Sequence, residues 1–300
     1  MKWRKRGLLF HAQGQREWMQ THAAVPIAEP LQGSLCRIYF STRDHANRSH
    51  TASLVVDLER PQTLLELDDT PILAPGPLGG FDDSGAMATW LTRVGQRRYL
   101  YYIGWNLGVT VPFRNAIGLA ISENGEPFRR HAPGPIMDRT AHEPHFVASC
   151  CVLEDAGLWR NWYLAGTEWL VGRQRPEPRY HIRYAESRDG IHWQRQGHIA
   201  LDFAGPGETA LSRPSVLRDG DTWKMWYSSR GHAYRIGYAE SPDGLAWKRH
   251  DASAGIEPSV NGWDADMIEY PHVFDLDGRR YMLYNGNGYG LSGFGLAELE

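Results

Sequence analysis

The segment IGYAESPDGLAWKRH, residues 236–250, contains the pattern that decides the fold of this chain. Two variants of it occur earlier, IGLAISENGEPFRRH at 117–131 and IRYAESRDGIHWQRQG at 182–197. In each copy an alternating strand ends in Ala-x-Ser, a turn follows, and an aromatic-x-Arg strand begins. Repetition at intervals of roughly 55–65 residues is typical of a protein built from similar structural units.

Each copy extends backwards into a unit of up to four strands. An aromatic strand precedes the Ala-x-Ser strand, and a short apolar strand precedes the aromatic one, with turn residues such as Asp-Gly between them. The aromatic strands are CRIYFSTRD, RRYLYYIGWN, RNWYLAGTEW, TWKMWYSSRG and RRYMLYNGNG; the apolar strands are HAAVPIA, DSGAMATWL, EPHFVASCCVL, RPSVL and YPHVF. This pattern, with no convincing helix, predicts an all-β, five-bladed β-propeller with four antiparallel strands per blade.

The fifth unit ends without an aromatic-x-Arg strand. The N-terminal segment KWRKRG, residues 2–7, resembles AWKRHD at 246–251, so we expect the N-terminal strand to close the last blade. No low-complexity linker interrupts the sequence, and residues 1–300 are predicted to form a single domain.

The composition narrows the class of protein and of partner. The chain has 300 residues, 42% of them hydrophobic and 22% charged, with a net charge of -3. These values are ordinary for a globular protein and give no electrostatic basis for binding nucleic acid or an anionic membrane. The odd set Cys36, Cys150 and Cys151 favours buried thiols in a reducing compartment, and neither a signal peptide nor a membrane span is indicated. We therefore expect a cytoplasmic protein.

The start of each apolar strand and the end of each aromatic strand should meet at one face of the propeller. Polar and aromatic residues concentrate at these positions, whereas the strand bodies are apolar, which predicts a funnel-shaped site. The starts are His22, Asp83, Glu143, Arg213, Glu269 and Tyr270, followed by His272; the ends are Arg43, Asp44, Trp105, Asn106, Glu168, Trp169, Arg230, Asn285 and Asn287. One carboxylate at a strand start is as often structural as catalytic, but several at one mouth require a substrate or a cation.

The residue types at the mouth favour an anionic or sugar ligand over a metal. No HExxH or Cys-x-x-Cys motif occurs, so neither a metal site nor a cofactor is predicted. His22 and the arginines at the mouth could bind a phosphate or carboxylate, and Trp105 and Trp169 could stack on a sugar ring. A structural cation in the central channel is left open.

The segments FDDSG at 81–85 and HEPHF at 142–146, with the YAESxDGxxW repeats, resemble the five-bladed propeller enzymes of the arabinanase, invertase and levansucrase superfamily. This superfamily includes glycoside hydrolase families 43, 32 and 130, and the resemblance covers the blade pattern of essentially the whole chain. It implies a glycosidase-like enzyme that acts on a carbohydrate or glycoconjugate.

Families 43 and 32 use three carboxylates, and the resemblance assigns two of them here. Asp83 matches the second carboxylate, which would orient the sugar or tune the acid, and Glu143 matches the general acid. His22 stands where the first carboxylate belongs, so the base would be Glu269, Asp44 or His22.

Three alternatives remain open at this stage. A phosphorylase, as in family 130, would use phosphate as the nucleophile and basic residues to hold it. A cyclase, isomerase or lyase would use His22 as base and Glu143 as acid. A non-catalytic binding propeller would pair all its carboxylates with arginines.

Overall fold

The computed structural model describes residues 1–171 and 175–300 of the chain. Within these ranges it contains twenty β-strands and one 3₁₀ turn, Asp251–Ser253. The all-β prediction is therefore confirmed. In the same residues, no helix has the length and apolar character needed to cross a membrane.

The strands pair in antiparallel groups of four. The first group is β2 (Thr21–Pro30), β3 (Leu35–Arg43), β4 (Ser49–Asp57) and β5 (Leu64–Leu67); the second is β6 (Gly85–Val94), β7 (Arg97–Leu107), β8 (Phe113–Glu123) and β9 (Arg129–Arg130). The third is β10 (Val147–Asp155), β11 (Leu158–Leu170), β12 (Glu177–Ser187) and β13 (Ile199–Leu201); the fourth is β14 (Ala210–Asp219), β15 (Thr222–Arg230), β16 (Tyr234–Ser241) and β17 (Lys248–Arg249). The last group is β18 (Glu269–Leu276), β19 (Arg279–Asn285), β20 (Phe294–Leu299) and the N-terminal β1 (Trp3–Phe10).

The strand order within the groups follows the sequence prediction, while the number of propeller blades stays a prediction. Single parallel pairs, Ser49 with Gly85 and Tyr180 with Ala210, connect the first group to the second and the third to the fourth. We call β2, β6, β10, β14 and β18 the inner strands, because side chains from them contact one another across the groups.

The N-terminal strand forms the outer edge of the last group. β1 runs antiparallel to β20, with pairs from Trp3 opposite Leu299 to Phe10 opposite Phe294. This pairing, which the segment KWRKRG predicted, covers the edge that β20 would otherwise expose.

The repeated Ser-x-Asp-Gly phrase forms a turn that docks on the neighbouring group. Ser187 Oγ accepts hydrogen bonds from the backbone N–H groups of Asp189 and Gly190. The carbonyl of Gly190, whose φ is 73°, then accepts a hydrogen bond from the Tyr101 hydroxyl at 2.8 Å. The equivalent carbonyl of Gly244 accepts one from Trp162 Nε1 at 2.8 Å. The repeat is thus a contact between groups as well as a turn.

Three inner strands contain a β-bulge with a strained residue before a proline. Val25, Arg213 and Tyr270 have φ angles of 55°, 50° and 53°, in the left-handed region that L-residues rarely adopt. In each case a side chain of the preceding group accepts a hydrogen bond of 2.7–3.0 Å from the backbone N–H of the strained residue. The acceptors are Asn285 Oδ1 for Val25, Ser149 Oγ for Arg213 and Ser228 Oγ for Tyr270. These bonds hold the strained backbone and join neighbouring groups.

The bulges correct the alignment expected from the sequence. Val25, and not His22, is the first-group equivalent of Arg213 and Tyr270, because each of these precedes a proline within a one-residue register shift. Asp83 and Glu143 lie ahead of β6 and β10, outside the strands. The five positions are therefore not equivalent strand starts.

Candidate functional site

In all five groups a tyrosine of the second strand holds a carboxylate. The tyrosine hydroxyl donates a hydrogen bond to the carboxylate, and a basic side chain neutralises its charge. We call these sets the carboxylate anchors: Tyr39, Glu29 and Arg98; Tyr102, Asp82 and Arg130; Tyr163, Glu143 and Arg195; Tyr227, Asp251 and Arg249; Tyr284, Asp264 and Lys5. Their recurrence indicates a role in fixing the structure of each group.

Glu143, the predicted general acid, is the third-group member of this series. Its Oε1 accepts hydrogen bonds from the Tyr163 hydroxyl at 2.6 Å and from Arg183 at 3.2 Å, and its Oε2 accepts one from Arg195 at 2.7 Å. Both oxygens of Glu143 are thus bonded to donors of the protein, whereas a general acid must present a proton to its substrate. These contacts favour a structural role for Glu143.

Asp44 and Asp83 are both held in the ionised form by local hydrogen bonds. Burial raises the pKa of Asp44, but bonds from His50 and Arg48 outweigh it, so this pKa lies below its ordinary value. Burial also raises the pKa of Asp83. Hydrogen bonds from Asn106 and from the Gly79 backbone N–H outweigh this effect, so the pKa of Asp83 is lowered as well. Both side chains stabilise loops beside the mouth.

Several predicted substrate-binding residues make contacts within the protein. Asn285 is fully buried and forms hydrogen bonds with Val25 and Ala23 of the first group. Asn287 accepts hydrogen bonds from the backbone N–H groups of Asp266 and Met267. Trp105 donates a hydrogen bond to Ser49, and Asn106 donates one to Asp83. Glu168 forms an ion pair with Arg179, and the Trp169 ring packs on Phe113 and Phe146. Trp105, Glu168 and Trp169 keep partial exposure, so they remain candidates to contact a ligand.

The start of β18 places a buried carboxyl among tyrosines. We call this set the tyrosine cluster: Glu269, Arg230, Tyr180, Tyr234, Tyr270 and Tyr289. The hydroxyls of Tyr180 and Tyr234 share a hydrogen bond, and the Tyr234 ring lies 6.1 Å from the Tyr270 ring and 6.0 Å from the Tyr289 ring. The guanidinium carbon of Arg230 lies 5.3 Å from the Tyr234 ring centre. The cluster joins the third, fourth and last groups at one face.

Glu269 is the buried carboxyl of this cluster. The residue is 0% exposed, and within the described ranges neither carboxyl oxygen has a hydrogen-bond partner. Burial raises the pKa of Glu269 well above its ordinary value, and the charge of Arg230 opposes this only in part. A protonated carboxyl at neutral pH is what a general acid requires.

His22 and Arg43 of the first group extend the site on the side of Tyr270. Burial lowers the pKa of His22 to about 4, and the charge of Arg43 acts in the same direction, so the imidazole is neutral at pH 7. The positive charge of Arg43 in turn interacts with Tyr270. The structure thus brings together five of the predicted site residues: His22, Arg43, Arg230, Glu269 and Tyr270.

The two arginines of the site have no acidic partner among residues 1–171 and 175–300. Arg43 donates to Asn47 Oδ1 at 2.9 Å, and Arg230 donates weakly to Thr209 Oγ1 at 3.4 Å. Both side chains are partly exposed. Their charges are available to an anionic group of a ligand.

Arg213 and His272 lie deeper, away from solvent. Arg213 is 0% and His272 is 4% exposed, and both pack against Trp90 of the second group. Burial lowers the pKa of His272 well below its ordinary value, with Arg213 acting in the same direction. These residues line the axis between the inner strands and do not reach the mouth.

Sequence reasoning found Tyr270 but missed the other three tyrosines near Glu269. Tyr180 and Tyr234 occupy the same repeat position, two residues before the isoleucine of IRYAES and IGYAES. A polar aromatic residue at a fixed place in two copies was a usable signal. Tyr289 lies in the loop after β19, outside the repeated segments, so no pattern pointed to it.

Two surface clefts lie apart from this site. One of 420 Å³ includes Asp275 and Arg280, and one of 480 Å³ includes His131 and Trp193. Both lie at strand edges or hairpins away from the tyrosine cluster, and neither contains a predicted site residue. We therefore take the tyrosine cluster, with His22 and Arg43, as the candidate site.

Comparisons with known proteins give both relatives and structural neighbours. No protein-family model matches this sequence. It is 46% identical, over 300 residues and 100% of both sequences, to the uncharacterized proteins MT1551 and Rv1502 of Mycobacterium tuberculosis. Among solved structures, an RGII complex of BT0996 gives a TM-score of 0.78 at 17% identity, covering 99% of this protein and 91% of that one.

Two further structures connect the fold to named glycosidase families. A thermostable family-43 glycoside hydrolase gives a TM-score of 0.69 at 16% identity, covering 97% of this protein and 93% of that one. The Bombyx mori GH32 β-fructofuranosidase BmSUC1 gives 0.65 at 12% identity, covering 97% of this protein and 64% of that one. The resemblance to this propeller superfamily is confirmed, and at these identities it shows the fold alone.

Proposed function

Because the protein belongs to the family of the Mycobacterium tuberculosis proteins MT1551 and Rv1502 and has the fold of family 43 and family 32 glycoside hydrolases, we propose that it is an enzyme that acts on a carbohydrate or glycoconjugate. The reaction takes place at the tyrosine cluster. One neighbour, solved as a complex with RGII, supports a sugar ligand at this type of fold.

The architecture that fits this function is a single five-bladed propeller over residues 1–300. The strand groups are the blades, and the inner strands surround the axis. The contacts of Arg213 support this arrangement, since its β14 side chain and backbone reach Pro26 of β2, Trp90 of β6 and Ser149 of β10.

The observation that carries the proposal is the fully buried Glu269, whose pKa burial raises, beside Arg230 and several tyrosines. Glu269 is the general acid and gives its proton to the oxygen that leaves the sugar. Arg230 and Arg43 hold an anionic group of the substrate, and neutral hydroxyls of Tyr180 and Tyr234 bind sugar oxygens. Trp105 and Trp169 are available to stack on the ring.

The mechanism also requires a base. Asp44 and Asp83 are ionised but held by neighbouring hydrogen bonds, and Glu143 is paired with arginines. Neutral His22 is the remaining candidate, at the edge of the cluster.

Phosphorolysis is the second candidate reaction. It is favoured by Arg43 and Arg230, which have no acidic partner in the described residues and could hold phosphate as the nucleophile. A phosphate dianion attacks the sugar without a separate base, which fits the absence of a free second carboxylate among the cluster residues. The cytoplasm, where sugar phosphates are used, is the proposed location; the free, buried state of Cys36, Cys150 and Cys151 supports a reducing compartment.

A screen with a matched pair of variants tests the proposal. The probes are 4-nitrophenyl glycosides, with and without inorganic phosphate, and sugar phosphates. Glu269→Gln should lower turnover by about 10²–10⁴-fold, since the proton donor is lost. Glu143→Gln, the same change at another buried carboxyl, should retain turnover below its melting temperature.

Each outcome of the screen decides between named alternatives. Phosphate-dependent product release identifies a phosphorylase, and phosphate-independent release a hydrolase. Loss of turnover in Glu143→Gln but not in Glu269→Gln would return the acid role to Glu143. Sugar binding without any turnover by the wild-type protein would favour a binding propeller.

A further inference from the structure

The axis between the inner strands holds a buried arginine. Arg213 Nη2 donates to the Pro26 carbonyl at 3.1 Å, its backbone N–H donates to Ser149 Oγ at 3.0 Å, and its guanidinium carbon lies 5.4 Å from the Trp90 ring centre. The His272 ring packs on the same tryptophan at 4.9 Å. Residues of β2, β6, β10, β14 and β18 thus meet around Arg213 and Trp90.

The positive charge of Arg213 has no counter-charge in the described part of the sequence. It makes no ion pair there, and its Nε and Nη1 atoms have no hydrogen-bond partner. The neighbouring thiols of Cys150 and Cys151 are neutral, because burial raises the pKa of both. The face of Trp90 stabilises a cation by only about 2 kcal/mol, which is less than the penalty of burying an unpaired charge.

Glu269 does not supply the missing charge. It lies on β18, but its carboxyl makes no hydrogen bond to Arg213, and Arg230 is the arginine whose charge acts on it. Burial raises its pKa, which disfavours the charged form of this carboxyl.

Other polar atoms around the axis also lack partners within residues 1–171 and 175–300. They are the hydroxyls of Ser212 and Thr89 and the Nδ1 atom of His272, all on inner strands and all at least nine-tenths buried. Buried polar atoms are normally satisfied by protein, water or an ion, so this concentration indicates a polar occupant of the axis.

The residues present do not fit the structural cation that was left open for the central channel. No group of three or more His, Cys, Asp or Glu residues in the described ranges could hold a metal ion. An arginine in the same space repels a cation. The charge at the axis calls for an occupant of the opposite sign.

We propose that the axis of the protein binds a small monovalent anion, of halide size, against the Nε and Nη1 groups of Arg213. Chloride is the cellular anion of this class. We choose the smallest class of anion because Arg213 is fully buried. The anion neutralises the guanidinium and ties together strands from all groups, so it acts on stability and not on the reaction at the mouth.

Anomalous diffraction gives the direct test on the unmodified protein. Crystals grown or soaked in sodium bromide should show a bromide peak within about 3.5 Å of Arg213, at hydrogen-bond distance. No peak there, with an ordered water in its place, would overturn the proposal.

A solution measurement tests the same site without crystals. Thermal midpoints are compared in sodium chloride and sodium gluconate at equal ionic strength. Chloride should raise the midpoint by about 2–4 °C when its concentration is well above the dissociation constant, because it binds only the folded protein. Arg213→Met should remove this difference, whereas Arg188→Met, at an exposed turn, should keep it. Equal midpoints of the wild type in the two salts would contradict the proposal even if Arg213→Met fails to fold.

Discussion

Glu143 and Glu269 are both buried glutamates, yet the contacts of their carboxyl groups differ. Glu143 accepts hydrogen bonds from a tyrosine and two arginines. Glu269 has no bonded partner in the described residues, so burial favours the neutral acid. The contacts of each carboxyl therefore indicate anchoring for the first and proton donation for the second.

Glu143→Gln should destabilise the protein strongly. The substitution leaves Arg183 and Arg195 buried without their shared carboxylate, and breaking a buried ion pair in this way costs about 3–5 kcal/mol. For a protein of 300 residues this corresponds to a fall in melting temperature of about 5–8 °C. Calorimetry measures it, with Glu154→Gln on the exposed β10–β11 turn as control; a fall below about 1 °C would show that the anchor contributes little.

Glu269→Gln should change the pH dependence of stability. The pKa of Glu269 is raised in the folded protein above the value of about 4.3 in the unfolded chain. Between these two values the folded state binds more protons, so wild-type stability declines as pH rises. The variant lacks this decline and should gain stability relative to wild type as pH rises from about 4.5 to 8. Urea midpoints across this range test the sign, and a difference independent of pH would contradict it.

The sequence could predict part of the site, and the reason lies in what each residue contacts. Arg43, Arg230, Glu269 and Tyr270 were predicted because strand ends of antiparallel neighbours share one face. The partners of Glu143 could not be predicted, because Tyr163 and the two arginines come from later strands and a loop. Such tertiary contacts leave no local pattern.

At the level of elements, the strands were predictable from alternation and turn residues, whereas the bulges were not. A bulge shifts the register by one residue without changing the pattern of residue types, so His22 was aligned where Val25 belongs. The outer strand of the third group was expected to begin near Trp193, but it is β13, Ile199–Leu201, and Gln194 makes only an isolated bridge.

Asn285→Ala should weaken the contact between the last group and the first. Its side chain bonds the Val25 N–H and the Ala23 carbonyl across the groups, and the first of these bonds supports a strained φ angle. Loss of these buried bonds should cost about 3–5 kcal/mol. Asn287→Ala is the matched control, because Asn287 bonds only within the last group, and it should cost about 1 kcal/mol. Similar costs for both variants, measured by urea unfolding, would argue against a special role for this contact.

On the scale of the whole molecule, contacts between groups predict cooperative unfolding. Trp90 donates to the Val152 carbonyl, Trp162 to the Gly244 carbonyl and Arg213 to the Pro26 carbonyl, so neighbouring and distant groups share buried hydrogen bonds. We expect one calorimetric transition, with equal calorimetric and van't Hoff enthalpies, as for a single domain. Two resolved transitions would divide residues 1–300 into separate folding units.

The pairing of β1 with β20 has a consequence during synthesis. β1 finds its partner only when β20 has left the ribosome, which for about 300 residues at about 5–20 residues per second takes roughly 15–60 s. Until then Trp3 and Phe10, which are nearly buried in the folded protein, stay uncovered. The nascent β1 segment is therefore a natural docking point for a chaperone until β20 is available.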